Sequence, residues 1–89
     1  MKVLFSSKGW EHYLYWVEAD KITLLRINKL IEESRRTPFL GLGKPEPLRG
    51  EFKGFWSRRI NEEDRLVYRV MGTAGAQLIE IVACRYHYK

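Results

Sequence analysis

Cys84 is the only cysteine, so an internal disulfide is excluded and a reducing, intracellular setting is expected. The N-terminus, MKVLFSSKGW, has no apolar core of the secretory kind. No run approaches the ~18 apolar residues of a membrane span. The expected location is therefore cytoplasmic. His12 and His87 lie at opposite ends of the chain, and with one cysteine they form no zinc-like or two-metal spacing. GLGKP (41–45) is followed by proline rather than by the helix that a phosphate-cradling glycine loop requires. No metal and no cofactor are expected. Acidic residues are also in deficit, 11 against 16 Lys and Arg, and the net charge of +5 calls for an anionic partner. Nucleic acid, an acidic protein and a membrane surface all answer to that charge.

What is present builds one domain over 1–89. The hydrophobic fraction of 45% is enough for one core, and 89 residues are too few for two. Charge is spread along the chain rather than gathered in a tail, which argues against disorder. KVLFS (2–6) reads as a short strand. Ser6 and Ser7 offer N-cap hydroxyls, and Trp10, Tyr13, Leu14 and Val17 follow at helical spacing. Asp20 can cap a second helix whose apolar positions are Leu24, Ile27, Leu30 and Ile31. That helix must stop before Pro38, because proline pushes the preceding residue out of the α region. Residues 37–54 contain all three prolines and four of the seven glycines, and read as a long loop with stiff points. FWSRRI (55–60), RLVYRV (65–70) and QLIEIVAC (77–84) read as strands, joined by NEED (61–64) and GTAG (72–75). The fold class is α+β. Two N-terminal helices pack on one face of a four- to five-stranded antiparallel sheet, in the order β-α-α-β-β-β.

The other sheet face is then open. Strand alternation puts Arg65, Val67 and Arg69 outward and Leu66, Tyr68 and Val70 against the helices. Counted the same way, Phe55, Ser57 and Arg59 share one side, and Arg85 and His87 share another. Adjacent strands can thus gather Arg59, Arg65, Arg85 and His87, with Lys44, Arg49 and Lys53 contributed by the loop. Clustered guanidiniums suit phosphate because each planar fork can pair two oxygens. Each arginine alone also reads as part of a solvated face, paired with Glu62, Glu63 or Asp64. Tyr86 and Tyr88 are candidate rings for stacking unpaired bases.

RNA cleavage without metal needs a base for the 2′-OH, an acid for the departing 5′ oxygen, and positive charge at the phosphate. His87 can be the acid, since histidine ordinarily titrates near ~6.5. Arg65 supported by Arg59 can hold the phosphate. The loop offers Glu46 as base, with Pro45 and Pro47 restricting its backbone. By itself KPEP also reads as a rigid surface turn.

RRTPF, GxGKPEPL, GFWSRRI, EExRLVYxV and ACRYHY together resemble the YoeB/Txe branch of the RelE superfamily, toxins of bacterial type II toxin–antitoxin pairs. SxxxWxxYLYW and the DK at 20–21 fit as well, so the resemblance spans nearly the whole chain. It implies a microbial-ribonuclease-like, RelE-type fold. It implies a metal-independent mRNA interferase that cuts translated mRNA at the A site of the 70S ribosome. Glu46 then matches the general base, His87 the general acid and Arg65 the transition-state stabiliser. Arg59 matches a phosphate contact, and Tyr88 the aromatic that positions substrate. The implied partner is an acidic, YefM/Axe-like antitoxin, and a homodimer is compatible. Three features depart from the pattern: Arg49 where a lysine is usual, a longer turn in GTAGAQ, and Lys89 after the terminal tyrosine. Two other readings are a RelE-fold toxin without RNA cleavage and a non-catalytic RNA-binding module. Neither accounts for Glu46 and His87 together.

Overall fold

In the computed structural model, which describes residues 1–87, strand β1 (Lys2–Phe5) leads into helix α1 (Ser7–Ala19) and helix α2 (Lys21–Arg36). A two-residue strand β2 (Glu46–Pro47) and a 3-10 turn (Gly50–Phe52) follow. The chain continues through β3 (Trp56–Arg59), β4 (Arg65–Met71) and β5 (Leu78–Ala83). The helix boundaries have local causes. Ser6 caps α1 by accepting the Gly9 N–H at 3.0 Å. The Asp20 carboxylate accepts the Ile22 and Thr23 N–H groups at the start of α2. Its hydrogen bonds with Thr23 hold the carboxyl below the usual aspartate range. Helix α2 ends at Arg36, two residues before Pro38, as the proline requires.

The sheet order is β1-β5-β4-β3-β2. Four of the strands pair antiparallel, but β1 runs parallel to β5, with Lys2 opposite Leu78 and Phe5 opposite Ile81. The sheet is therefore mixed, which corrects the antiparallel expectation. No hairpin ties β1 to its neighbour. Its direction follows from α1 packing back over β5, where Ser6 N–H donates to Ile81 O at 3.0 Å. The segment 37–54 is also less of a plain loop than expected, because β2 adds an edge strand within it.

The core lies between helices and sheet, where Ile27, Leu30, Leu66, Tyr68, Ile79 and Ile81 are fully buried. Helix α1 meets it by a different face from the expected one. Gly9, His12 and Trp16 are its buried residues, whereas Trp10, Leu14 and Val17 are exposed. Gly9 sets this orientation: a Cβ there would stand 2.2 Å from Ile81 O, so only glycine lets α1 approach β5 so closely. The buried face thus contains a glycine and a histidine, which a count of apolar residues passes over.

Arg58 is the largest side chain buried completely. Its Nε donates to Tyr68 Oη at 3.0 Å, Nη1 to Leu42 O at 2.9 Å, and Nη2 to Leu40 O at 2.9 Å and to Thr37 O. Tyr68 Oη in turn donates to Pro38 O at 2.6 Å. Residues 37–42 are thereby stapled to β3 and β4. Gly43 continues the staple, accepting the Arg59 N–H at 2.7 Å, with φ +84 and no room for a Cβ beside Leu30 and Arg58.

Candidate active site

The staple delivers Glu46 to the sheet. Its Cα pairs with Ser57 of β3, and Ser57 pairs with Val67 of β4. One step along, Arg59 faces Arg65 directly. Glu46, Ser57, Arg59 and Arg65 therefore share one face across three strands. An open cleft of about 330 Å³ lies there, lined by Glu46, Pro47, Leu48, Arg49, Ser57, Arg59, Arg65 and His87.

Arg65 is 9% exposed, low for a charged group, and its guanidinium is held from one end. Nη1 donates to Asn61 O at 2.7 Å, to Asp64 O at 3.1 Å and to Glu62 O at 3.2 Å. Nε and Nη2 take no hydrogen-bond partner among the described residues, which leaves one edge of the fork for an anion. The acidic residues of the NEED turn thus serve Arg65 with carbonyls rather than carboxylates. Among the described residues the ion pairs are Arg35–Glu32 and Arg69–Glu80. Arg69 faces outward as expected, but Glu80 at 2.7 Å and the Phe55 ring at 5.0 Å occupy it.

His87 reaches the cleft through a bend rather than along a strand. Strand β5 ends at Ala83, and a register shift between Val67 and Tyr68 already breaks its pairing with β4. Tyr86 then takes φ +72, a left-handed conformation that costs a non-glycine residue about 1–2 kcal/mol. Several contacts hold the bend. Cys84 N–H donates to His12 Nδ1 at 3.1 Å, and Trp16 Nε1 donates to Cys84 O at 2.8 Å. Tyr86 N–H donates to Asp64 Oδ1 at 2.7 Å, and Tyr86 O accepts the Arg65 N–H at 2.9 Å. Burial pushes the Cys84 thiol up to about 12, assisted by Asp64, so it is no nucleophile at neutral pH. Burial, with Lys8 second, lowers His12 below the ordinary histidine value, in keeping with its role as acceptor.

The bend also corrects the count past residue 83. Arg85 does not join Arg59, Arg65 and His87. Its guanidinium lies 3.5 Å from the Tyr15 ring centroid on α1 and 4.7 Å from that of Tyr86. Alternation holds only while the backbone stays extended, and the strand ends at Ala83, with residues 84–86 in a bend. Lys44 is exposed with φ +51 and does not line the cleft, whereas Arg49 does. Tyr88 and Lys89 lie outside the described residues. Ser57, buried at the floor of the cleft, was visible in the sequence only as a residue on the same side as Arg59.

One carboxylate, one imidazole and several guanidiniums around a single open cleft define a site equipped for acid–base chemistry on an anion. Comparison with known proteins gives that class a family. The model of the YoeB-like toxin of bacterial type II toxin–antitoxin systems matches residues 5–88. Toxin YoeB of Escherichia coli (strain K12) is 54% identical over 88 residues, covering 99% of this chain and 100% of that one. The solved YoeB/ParE toxin from Agrobacterium tumefaciens is 48% identical, with a TM-score of 0.94 over 99% of this chain and 100% of that one. YoeB of Staphylococcus aureus, solved as a dimer, is 39% identical with a TM-score of 0.86. In a heterotetrameric complex with YefM it is again 39% identical, with a TM-score of 0.85; each covers 99% of this chain and 98% of that one. The chain belongs to the YoeB-like toxins of bacterial type II toxin–antitoxin systems.

Proposed function

We propose that this toxin is a metal-independent endoribonuclease that cuts translated mRNA in the ribosomal A site. The observation that carries the reading is the convergence of Glu46, Arg59, Arg65 and His87 on one cleft from four separate segments. Glu46 removes the proton from the 2′-OH. The 2′ oxygen attacks the adjacent phosphorus, and the bond from phosphorus to the 5′ oxygen breaks. His87, as imidazolium, gives its proton to that oxygen. The products are a 2′,3′-cyclic phosphate and a 5′-hydroxyl. Arg65 offers the unpaired edge of its fork to the phosphate, with Arg59 beside it, where negative charge grows in the transition state. Arg49 lies at the same cleft and suits an adjacent phosphate of the strand. Tyr88, next to His87 in sequence, is assigned to substrate positioning on the family resemblance alone.

The partner is an antitoxin of acidic character, in line with the YefM complex of the S. aureus relative and with the net charge of +5. Self-association follows the dimer of the same relative. The test is cleavage of a defined mRNA on programmed ribosomes by the wild type and by His87→Gln. The substituted protein is expected to fold and to bind antitoxin as the wild type does, yet not to cut. Cutting at the wild-type rate by His87→Gln would overturn the assignment.

A further inference from the structure

The turn between β3 and β4 does more than reverse the chain. We propose that Asp64, braced by Asn61, is a positioning residue that fixes the C-terminal bend and so aims His87 into the cleft. Asp64 grips the residue immediately before His87: its Oδ1 accepts the Tyr86 N–H at 2.7 Å. Its other oxygen, Oδ2, accepts Asn61 Nδ2 at 3.0 Å. Asn61 Oδ1 closes the turn by accepting the N–H groups of Glu63 at 2.8 Å and Asp64 at 2.7 Å. The carbonyls of the same turn hold Arg65 Nη1, and the Arg65 N–H holds Tyr86 O. One four-residue turn therefore orients both the phosphate-binding cation and the peptide that precedes the acid.

The grip matters because Tyr86 is left-handed at φ +72, a conformation that a tyrosine keeps only when its neighbours enforce it. On the core side, His12 and Trp16 tie down Cys84, two residues earlier. Asp64 is the side chain that holds the amide next to His87. An ionised carboxylate is a stronger acceptor than the water that would replace it, so its loss lets His87 reorient. A displacement of about 1 Å at a reacting group can cost on the order of 10²-fold in rate.

This inference rests on His87 being the leaving-group acid, and the test separates the two claims. Single-turnover cleavage on programmed ribosomes is measured for the wild type, Asp64→Ala, Asp64→Asn and His87→Ala. Each is run with a normal linkage and with sulfur replacing the scissile 5′ oxygen, a leaving group that needs no proton. Asp64→Ala is expected to lose about 10–100-fold in rate on the normal linkage, with half-saturating concentration changed less than about threefold. On the sulfur linkage it should come within about threefold of the wild type. Asp64→Asn keeps a carbonyl acceptor for the Tyr86 N–H but turns an amide NH2 toward Asn61 Nδ2, so it should recover only part of the rate, at least about threefold over Asp64→Ala. An Asp64→Ala deficit that persists on the sulfur linkage overturns the positioning role, as does a wild-type rate on the normal one. A His87→Ala deficit that persists on sulfur instead overturns the acid assignment. Should Asp64→Ala fail to fold, Asn61→Ala removes the brace while leaving the carboxylate, and carries the same comparison.

Discussion

Replacing Arg58 by methionine tests whether the buried guanidinium, rather than apolar packing alone, holds the loop that presents Glu46. Methionine fills similar space but donates nothing. The Leu42 carbonyl then loses its donor, the Leu40 and Thr37 carbonyls keep only Thr37 Oγ1–H at 3.2 Å and Leu40 N–H at 3.4 Å, and Tyr68 Oη loses one of its two partners. Orphaning a partly buried acceptor costs about 1 kcal/mol at the low end, so one orphaned and two weakened carbonyls imply about 2–3 kcal/mol. Relief from burying a cation offsets part of this, and the solvation gained by a loosened loop offsets more. A net loss of about 1–2 kcal/mol should lower the midpoint of thermal unfolding by about 4–16 °C, at 4–8 °C per kcal/mol for a domain of this size. Arg58→Lys should not rescue, because one ammonium cannot span the four acceptors that a planar fork reaches. Urea unfolding followed by tryptophan fluorescence reads the free energy directly. A loss below about 0.5 kcal/mol, or a gain, would refute the staple, since a well-packed apolar substitute for a buried ion can be neutral or better.

Three further outcomes follow from the same geometry. Glu46→Ala should slow single-turnover cleavage by about 10²–10⁴-fold, the scale of one general acid–base group, and a loss under about threefold would remove Glu46 from the role of base. Gly9→Ala should cost about 1–3 kcal/mol by forcing α1 off β5, measured by denaturant unfolding, because its Cβ would meet Ile81 O at 2.2 Å. His12 has a folded pKa below its ordinary 6.5, so the unfolded chain binds the proton first as pH falls. Stability should therefore be lost as pH drops below about 6.5 and through the lower folded value, and His12→Gln, compared by urea unfolding at several pH values, should lose that component of the slope.

Much of this architecture was legible in local chemistry. Ser6 and Asp20 read as caps, the helix stopped before Pro38, and the alternation in 65–70 sent Leu66 and Tyr68 inward and Arg65 outward. These features depend on a few neighbouring residues. What escaped depends on distant ones. The face that α1 buries is set by a glycine against Ile81 O, and the parallel direction of β1 by a pairing some 76 positions away in sequence. Glu46, Arg59, Arg65 and His87 were named from residue type, spacing and family resemblance, and the structure brings them to one cleft. Arg85 was misplaced because strand parity was carried past Ala83, where β5 ends and the chain bends. Arg58 had no assigned role, because its task depends on carbonyls of a loop 16 to 21 residues away.

The central claim is that a carboxylate and an imidazole in this cleft drive attack by the 2′-OH. End-group analysis of mRNA cut by the purified toxin on programmed ribosomes tests it most directly. The account predicts a 2′,3′-cyclic phosphate, or the 3′-phosphate formed from it by hydrolysis, on the upstream fragment and a 5′-hydroxyl on the downstream one. A 3′-hydroxyl with a 5′-phosphate would contradict it, because those ends require water rather than the 2′ oxygen to attack.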